Sequence, residues 1–112
     1  MTGNNQQRAP KHLRKATQQF WLQVVGDFAL ESYHIRLLTH ACECWDRVEE
    51  AREAVARDGA YFVDRFGQQK MHPALTVEKD NQTLFAKLIR ELNLDVDLPG
   101  EDHSRPPSLV KG

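Results

Sequence analysis

The stretch DGAYFVDRFGQQKMHPALTVEKDNQTLFAKLIRELNLD, from Asp58 to Asp95, changes periodicity twice and so sets the order of elements in the chain. A long charged helix runs into it and stops at Gly59. Tyr61, Phe62, Val63 and Phe66 carry side chains that suit strands, and Gly67 supplies a turn, so Tyr61 to Met71 reads as a short aromatic hairpin. His72-Pro73 then opens a second amphipathic helix, because proline in a first helical turn gives up an N–H that has no partner there anyway. Val77, Leu84, Leu88, Ile89 and Leu92 fall on one stripe of that helix, which ends near Leu92. No enzyme needs this order of elements for its chemistry.

Upstream, Leu13, Ala16, Phe20, Trp21, Val24 and Val25 recur at three- and four-residue steps, the spacing of one helical stripe. Gly26 is expected to stop this helix in a left-handed C-cap, and the Asp27 carboxylate to cap the next one. That next helix is predicted over 29–58. Its stripe is Leu30, Leu38, Ala41, Trp45, Val48 and Val55, with Leu37 and Ala51 on the flank. From Leu38 the steps approach a coiled-coil seam, and Glu43–Arg47 and Glu53–Arg57 are spaced as i,i+4 ion pairs. At about 45 Å such a helix is too long to fold back inside a small domain. Either its short neighbours or other subunits must cover it, and the expectation is other subunits. An isolated hairpin is marginal in water, so Tyr61–Met71 is expected to pack on a helix or a second subunit.

The expected fold is therefore mainly α: a helical hairpin with one long central helix, a short β-hairpin and a third helix. Residues 1–12 read as a flexible basic arm, 13–94 as a single helical core and oligomerisation domain, and 95–112 as a disordered proline-containing tail. A chain of 112 residues has room for one small domain, and chains of that size often gain stability by assembling. Its 40% hydrophobic and 28% charged residues suit a globular protein, and no apolar run approaches a membrane span or a secretion signal. Cys42 and Cys44 are two residues apart and make no disulfide framework, which fits a reducing, cytoplasmic compartment.

Charge is unevenly spread beneath a net −1. No acid precedes Asp27, whereas Arg8, Lys11, Arg14 and Lys15 gather at the first helix start; the tail holds Asp95, Asp97, Glu101 and Asp102 against Arg105 and Lys111. Basic side chains gathered at one end can neutralise phosphates without reading sequence, so Arg8, Lys11, Arg14 and Lys15 are the nucleic-acid candidates.

Other chemistry finds little to stand on. Cys42 and Cys44 would point about 200° apart on a helix and cannot share an ion, and His40 with Cys44 leaves a zinc set incomplete. Neither a metal nor a cofactor is expected. No glycine-rich phosphate loop is present. His72 beside Pro73 suits a structural role, its ring bonded to backbone or packed on the hairpin. Phe20, Trp21 and Trp45 fall on helical stripes and read as core; Tyr61, Phe62 and Phe66 are open to another role, a subunit interface or a stacking platform for nucleic acid.

The order of an aromatic first helix, a long charged helix, Gly59, the hairpin around Gly67, His72-Pro73 and Leu92-Asn93-Leu94 resembles the small terminase subunits of tailed bacteriophages. The resemblance covers about Leu13 to Leu94. It implies a non-enzymatic genome-packaging factor, assembled as a ring-shaped homo-oligomer in the host cytoplasm. Such a ring binds double-stranded viral DNA at the packaging start site, and presents it to the terminase large subunit while modulating that subunit's ATPase and nuclease. Leu38, Trp45, Val48, Val55, Tyr61, Phe62 and Phe66 are the residues expected at the subunit interface. Many members place a complete helix-turn-helix ahead of the ring-forming core, whereas this chain has an arm and one helix. A second reading of the same elements is a small helical DNA-binding regulator that dimerises through the long helix.

Overall fold

The structure, a computed structural model, describes residues 8–93. The expectations for residues 1–7, for Leu94 and for the tail 95–112 lie outside the described residues. In chain order the elements are α1 (Lys15–Asp27), α2 (Ser32–Asp58), β1 (Tyr61–Val63), β2 (Gln69–Met71) and α3 (Pro73–Leu92). The strands pair antiparallel, with Tyr61 opposite Met71, Phe62 opposite Lys70 and Val63 opposite Gln69.

At 27 residues, α2 is about 40 Å long and forms the spine. α3 runs back along it: Arg52 bonds Glu78 near the hairpin, Trp45 packs on Phe85 midway, and Leu38 and Cys42 share a cluster with Leu92 at the far end. α1 covers the other side of α2, where Phe20, Trp21 and Val24 join that same cluster with Leu13. The roughly 200° between Cys42 and Cys44 has a direct consequence: Cys42 lies in the cluster with α1, while Cys44 joins Ala41, Phe85 and Leu88 against α3.

The long helix is thus sandwiched by its own chain, not held open for other subunits as its stripe led one to expect. Leu38 and Val48 are 0% exposed, so neither has surface to offer a second copy. Trp45 is half-buried against Phe85, with the Arg52 guanidinium 6.0 Å from its ring centroid. Val55 is half-buried. Leu38 and Val48 of the coiled-coil-like seam are thus spent inside the protomer, whereas Trp45 and Val55 keep part of their surface.

Local details depart from the sequence in ways that packing explains. Gly26 stays helical, because α1 continues to Asp27 and the extended Phe28 sends its N–H to Val24. α2 begins at Ser32, capped not by Asp27 but by Glu31, whose side chain accepts from the His34 amide while His34 Nδ1 accepts from the Glu31 N–H (3.1 Å). Glu43 and Glu53 do not pair with Arg47 and Arg57. They are drawn to His12 and Arg14 of the segment lying across them, leaving Arg47 to Glu50 and Arg57 to Asp58. On α1, Thr17 is buried and Ala16 exposed; on α3, Phe85 is buried where Val77 was expected. Tyr61, Phe62, Val63, Phe66 and Met71 of the hairpin are all exposed, and none joins either apolar cluster between the helices.

Candidate functional site

Two surfaces carry the residues singled out by the sequence. The first is the N-terminal segment. Residues 8–12 are expected in a flexible arm, but Ala9 packs against the core, Pro10 accepts the Leu13 amide, and Leu13 is buried. Seating Leu13 brings Arg14 over the acidic side of α2. There Asp46 accepts the Arg14 N–H (2.9 Å) and the Thr17 hydroxyl (2.6 Å), so a carboxylate from α2 caps α1. The Arg14 side chain supplies no cap of its own. Anionic groups at a helix N-terminus also meet the positive end of its dipole.

Of the four candidate phosphate-binding side chains, only three project freely. The Arg14 guanidinium forks onto both Glu53 oxygens, and that bond holds its pKa above the ordinary value. His12 bonds Glu43 at 2.8 Å. Arg8, Lys11 and Lys15 are exposed around this latch. Sequence reasoning missed Asp46, which is 1% exposed. A signal was there: Asp46 lies four residues after Cys42 and eight after Leu38, on the α2 side that meets α1.

The second surface is the hairpin. Gly59 ends α2 at φ +88°, a conformation that L side chains resist, and turns the chain outward. Its base is clasped by His72. The His72 amide donates to the Ala60 carbonyl (2.7 Å), and His72 Nδ1 accepts the Ala74 N–H (2.9 Å), capping α3. An accepting Nδ1 has no proton, so Nε2–H donates to Asp58 (2.9 Å). This bond, then the one from Arg57, holds the Asp58 carboxyl below its usual range. Pro73 follows as the first residue of α3. The histidine thus ties α2, hairpin and α3 together.

At the tip, Asp64 Oδ1 accepts from the Phe66 and Gln68 amides, both at 2.9 Å, and Gly67 takes φ +81°. This is the three-residue loop with a left-handed last position that closes many hairpins. It presents Phe66, 75% exposed, with Arg65 5.2 Å from its ring centroid. Tyr61 and Phe62 are exposed behind it. Tyr, Phe, Met and Arg are the residues that enrich the centres of protein interfaces.

The cysteines belong to neither surface. Burial pushes the Cys42 thiol up to about 12, and Asp46 and Glu43 add to the shift. Among the described residues, no helix is long and apolar enough to cross a membrane. A family model described as phage terminase, small subunit matches residues 17–97, from Thr17 in the first turn of α1 through the whole of α3. No curated protein and no solved structure gives a significant match.

Proposed function

The chain belongs to the phage terminase small-subunit family, and on that premise we propose that it is a non-catalytic packaging factor. It assembles as a homo-oligomer, binds double-stranded viral DNA at the packaging start site, and hands that DNA to the large terminase subunit while regulating its ATPase and nuclease in the host cytoplasm. The observation that carries this reading is the family match across α1–α3. Within it, the exposed Arg8, Lys11 and Lys15 bind phosphates, with Arg14 free to do so only when it leaves Glu53. Tyr61, Phe62 and Phe66 take the interface role, since Leu38 and Val48 are consumed by the protomer's own core.

Light scattering on the full chain, together with binding to duplex DNA over a range of salt, tests the reading. A mass of several protomers and an affinity that falls steeply with salt are expected. A monomer at micromolar concentration, or no DNA affinity at low salt, overturns it.

A further inference from the structure

Arg14 is held in two ways that differ in strength. Its backbone is fixed on both sides: its amide donates to buried Asp46 (2.9 Å), and its carbonyl accepts the Gln18 amide (2.8 Å). Its side chain is held by α2 alone. The guanidinium forks onto the Glu53 carboxylate, with Nη1 donating to Oε1 at 3.3 Å and Nη2 to Oε2, and Asp46 and Glu49 add to the attraction. His12 meets Glu43 at 2.8 Å, so α2 grips this segment at two points about 15 Å apart along its axis. Carboxylate and phosphate match the same guanidinium fork. Glu53 therefore stands where a phosphate oxygen pair would stand.

We propose that Glu53 restrains DNA binding: it occupies the Arg14 guanidinium in place of a DNA phosphate, and the basic segment reaches its full affinity only when that carboxylate is removed or neutralised. The proposal rests on the DNA-binding reading above and specifies how that surface is regulated. The restraint is reversible, because the two side chains are 38% and 57% exposed. An ion pair of that kind holds its partners no more than about fivefold over the open state. Opening it beside DNA has a further cost, since Glu53 is then left unpaired next to the phosphate that replaced it, and like charges repel. DNA thus engages the exposed Arg8, Lys11 and Lys15 and leaves Arg14 latched. Release needs no change of fold. Asp46 and Gln18 keep the Arg14 backbone in place while its side chain turns outward.

Equilibrium binding of the full-length protein to one DNA duplex across a salt series tests it. Glu53→Gln removes the charge, keeps the shape of the side chain and spares the Asp46 cap. Release of Arg14 is expected to steepen the log–log salt dependence by about 0.9 for each protomer touching DNA. By the same relation, binding should tighten about tenfold near 0.05 M salt, with the gain fading toward about 1 M. In an Arg14→Ala background the same substitution is expected to change affinity and slope far less. An equal gain without Arg14 means that Glu53 merely repels DNA, and it overturns the latch. A wild type that binds DNA beside a Glu53→Gln protein of the same affinity and slope also overturns the latch, and leaves the DNA-binding reading standing. No affinity in either protein at low salt overturns both.

Discussion

Asp46 in the middle of α2 and Thr17 in the first turn of α1 share a 2.6 Å hydrogen bond that is shut off from solvent. The other carboxylate oxygen takes the Arg14 amide. One acidic residue of the spine thereby fixes where α1 begins and how far along α2 it sits. Hydrogen bonds to a charged acceptor are the stronger kind, and removing one partner leaves the other buried without compensation.

Asp46→Ala is expected to destabilise the protein by about 2–3 kcal/mol, from one charge-assisted bond, one cap and a stranded Thr17 hydroxyl. Thr17→Val is expected to cost about 1–3 kcal/mol, because it leaves a buried carboxylate short of a donor. The double variant should cost less than the sum of the two, which urea midpoints measure directly. Additive losses would mean that the two side chains do not act as a pair.

The buried thiol of Cys42 makes a prediction at high pH. Its folded value is raised from 9.0 to about 12, so the neutral thiol is favoured in the folded state. The contribution is complete below about pH 9 and is lost as pH climbs toward about 12, where the unfolded chain gives up a proton that the folded chain keeps. Cys42→Ala should flatten that alkaline loss of stability. The native thiol should also resist alkylation at about pH 8 until the chain is unfolded, since the thiolate is the reactive form. Rapid labelling of Cys42 in the native state would contradict its placement.

At low pH the His72–Asp58 clasp is the part to watch. Asp58 is held below its usual range, first by the bond from His72 and then by Arg57. A depressed carboxylate stabilises the fold above its unfolded value, and the stabilisation disappears as pH falls through the folded value. The stability difference between wild type and Asp58→Asn should therefore be present at neutral pH and shrink in acid. A difference that stays constant from about pH 7 down to about pH 3 argues that the bonds from His72 and Arg57 to Asp58 add nothing. His72→Ala removes the cap as well and is expected to cost about 0.5–2 kcal/mol at neutral pH.

DNA affinity distinguishes free cations from latched ones. Replacing Arg8, Lys11 and Lys15 together with Ala should flatten the log–log salt dependence by about 0.9 for each phosphate no longer neutralised. Arg14→Ala alone should change the slope much less, because its guanidinium already sits on Glu53. Equal effects from Arg14 and the three exposed residues would show that the latch opens on DNA.

The hairpin and α3 were legible in the chain because their signals are local. Gly59 and Gly67 take positive φ values that glycine alone tolerates easily, and His72-Pro73 caps and opens α3 within three residues. Periodicity likewise marked Phe20, Trp21, Val24, Leu38, Val48 and Leu88 as buried. What a stripe says is that a face needs covering, since burial of apolar area is non-directional. Whether the cover comes from the same chain or from another copy depends on where the loop at 28–31 returns α1. Here it returns along α2, and α3 returns along it as well, so Leu38, Ala41 and Trp45 are covered from within.

The same tertiary choice rewired the charges. Ion pairs on a helix compete over fractions of a kcal/mol, and any side chain brought close from elsewhere decides the outcome. Once Leu13 docks, Arg14 and His12 arrive above Glu53 and Glu43, and the pairs within α2 yield. Asp46 is buried for the same reason: its partners, Thr17 and the Arg14 amide, lie 29 and 32 positions away in the chain. The sequence by itself determined the elements, their caps at the hairpin and the family to which they belong. Only the packing of α1 and α3 onto α2 decided which apolar faces are spent inside the protomer and left the hairpin as its exposed aromatic surface.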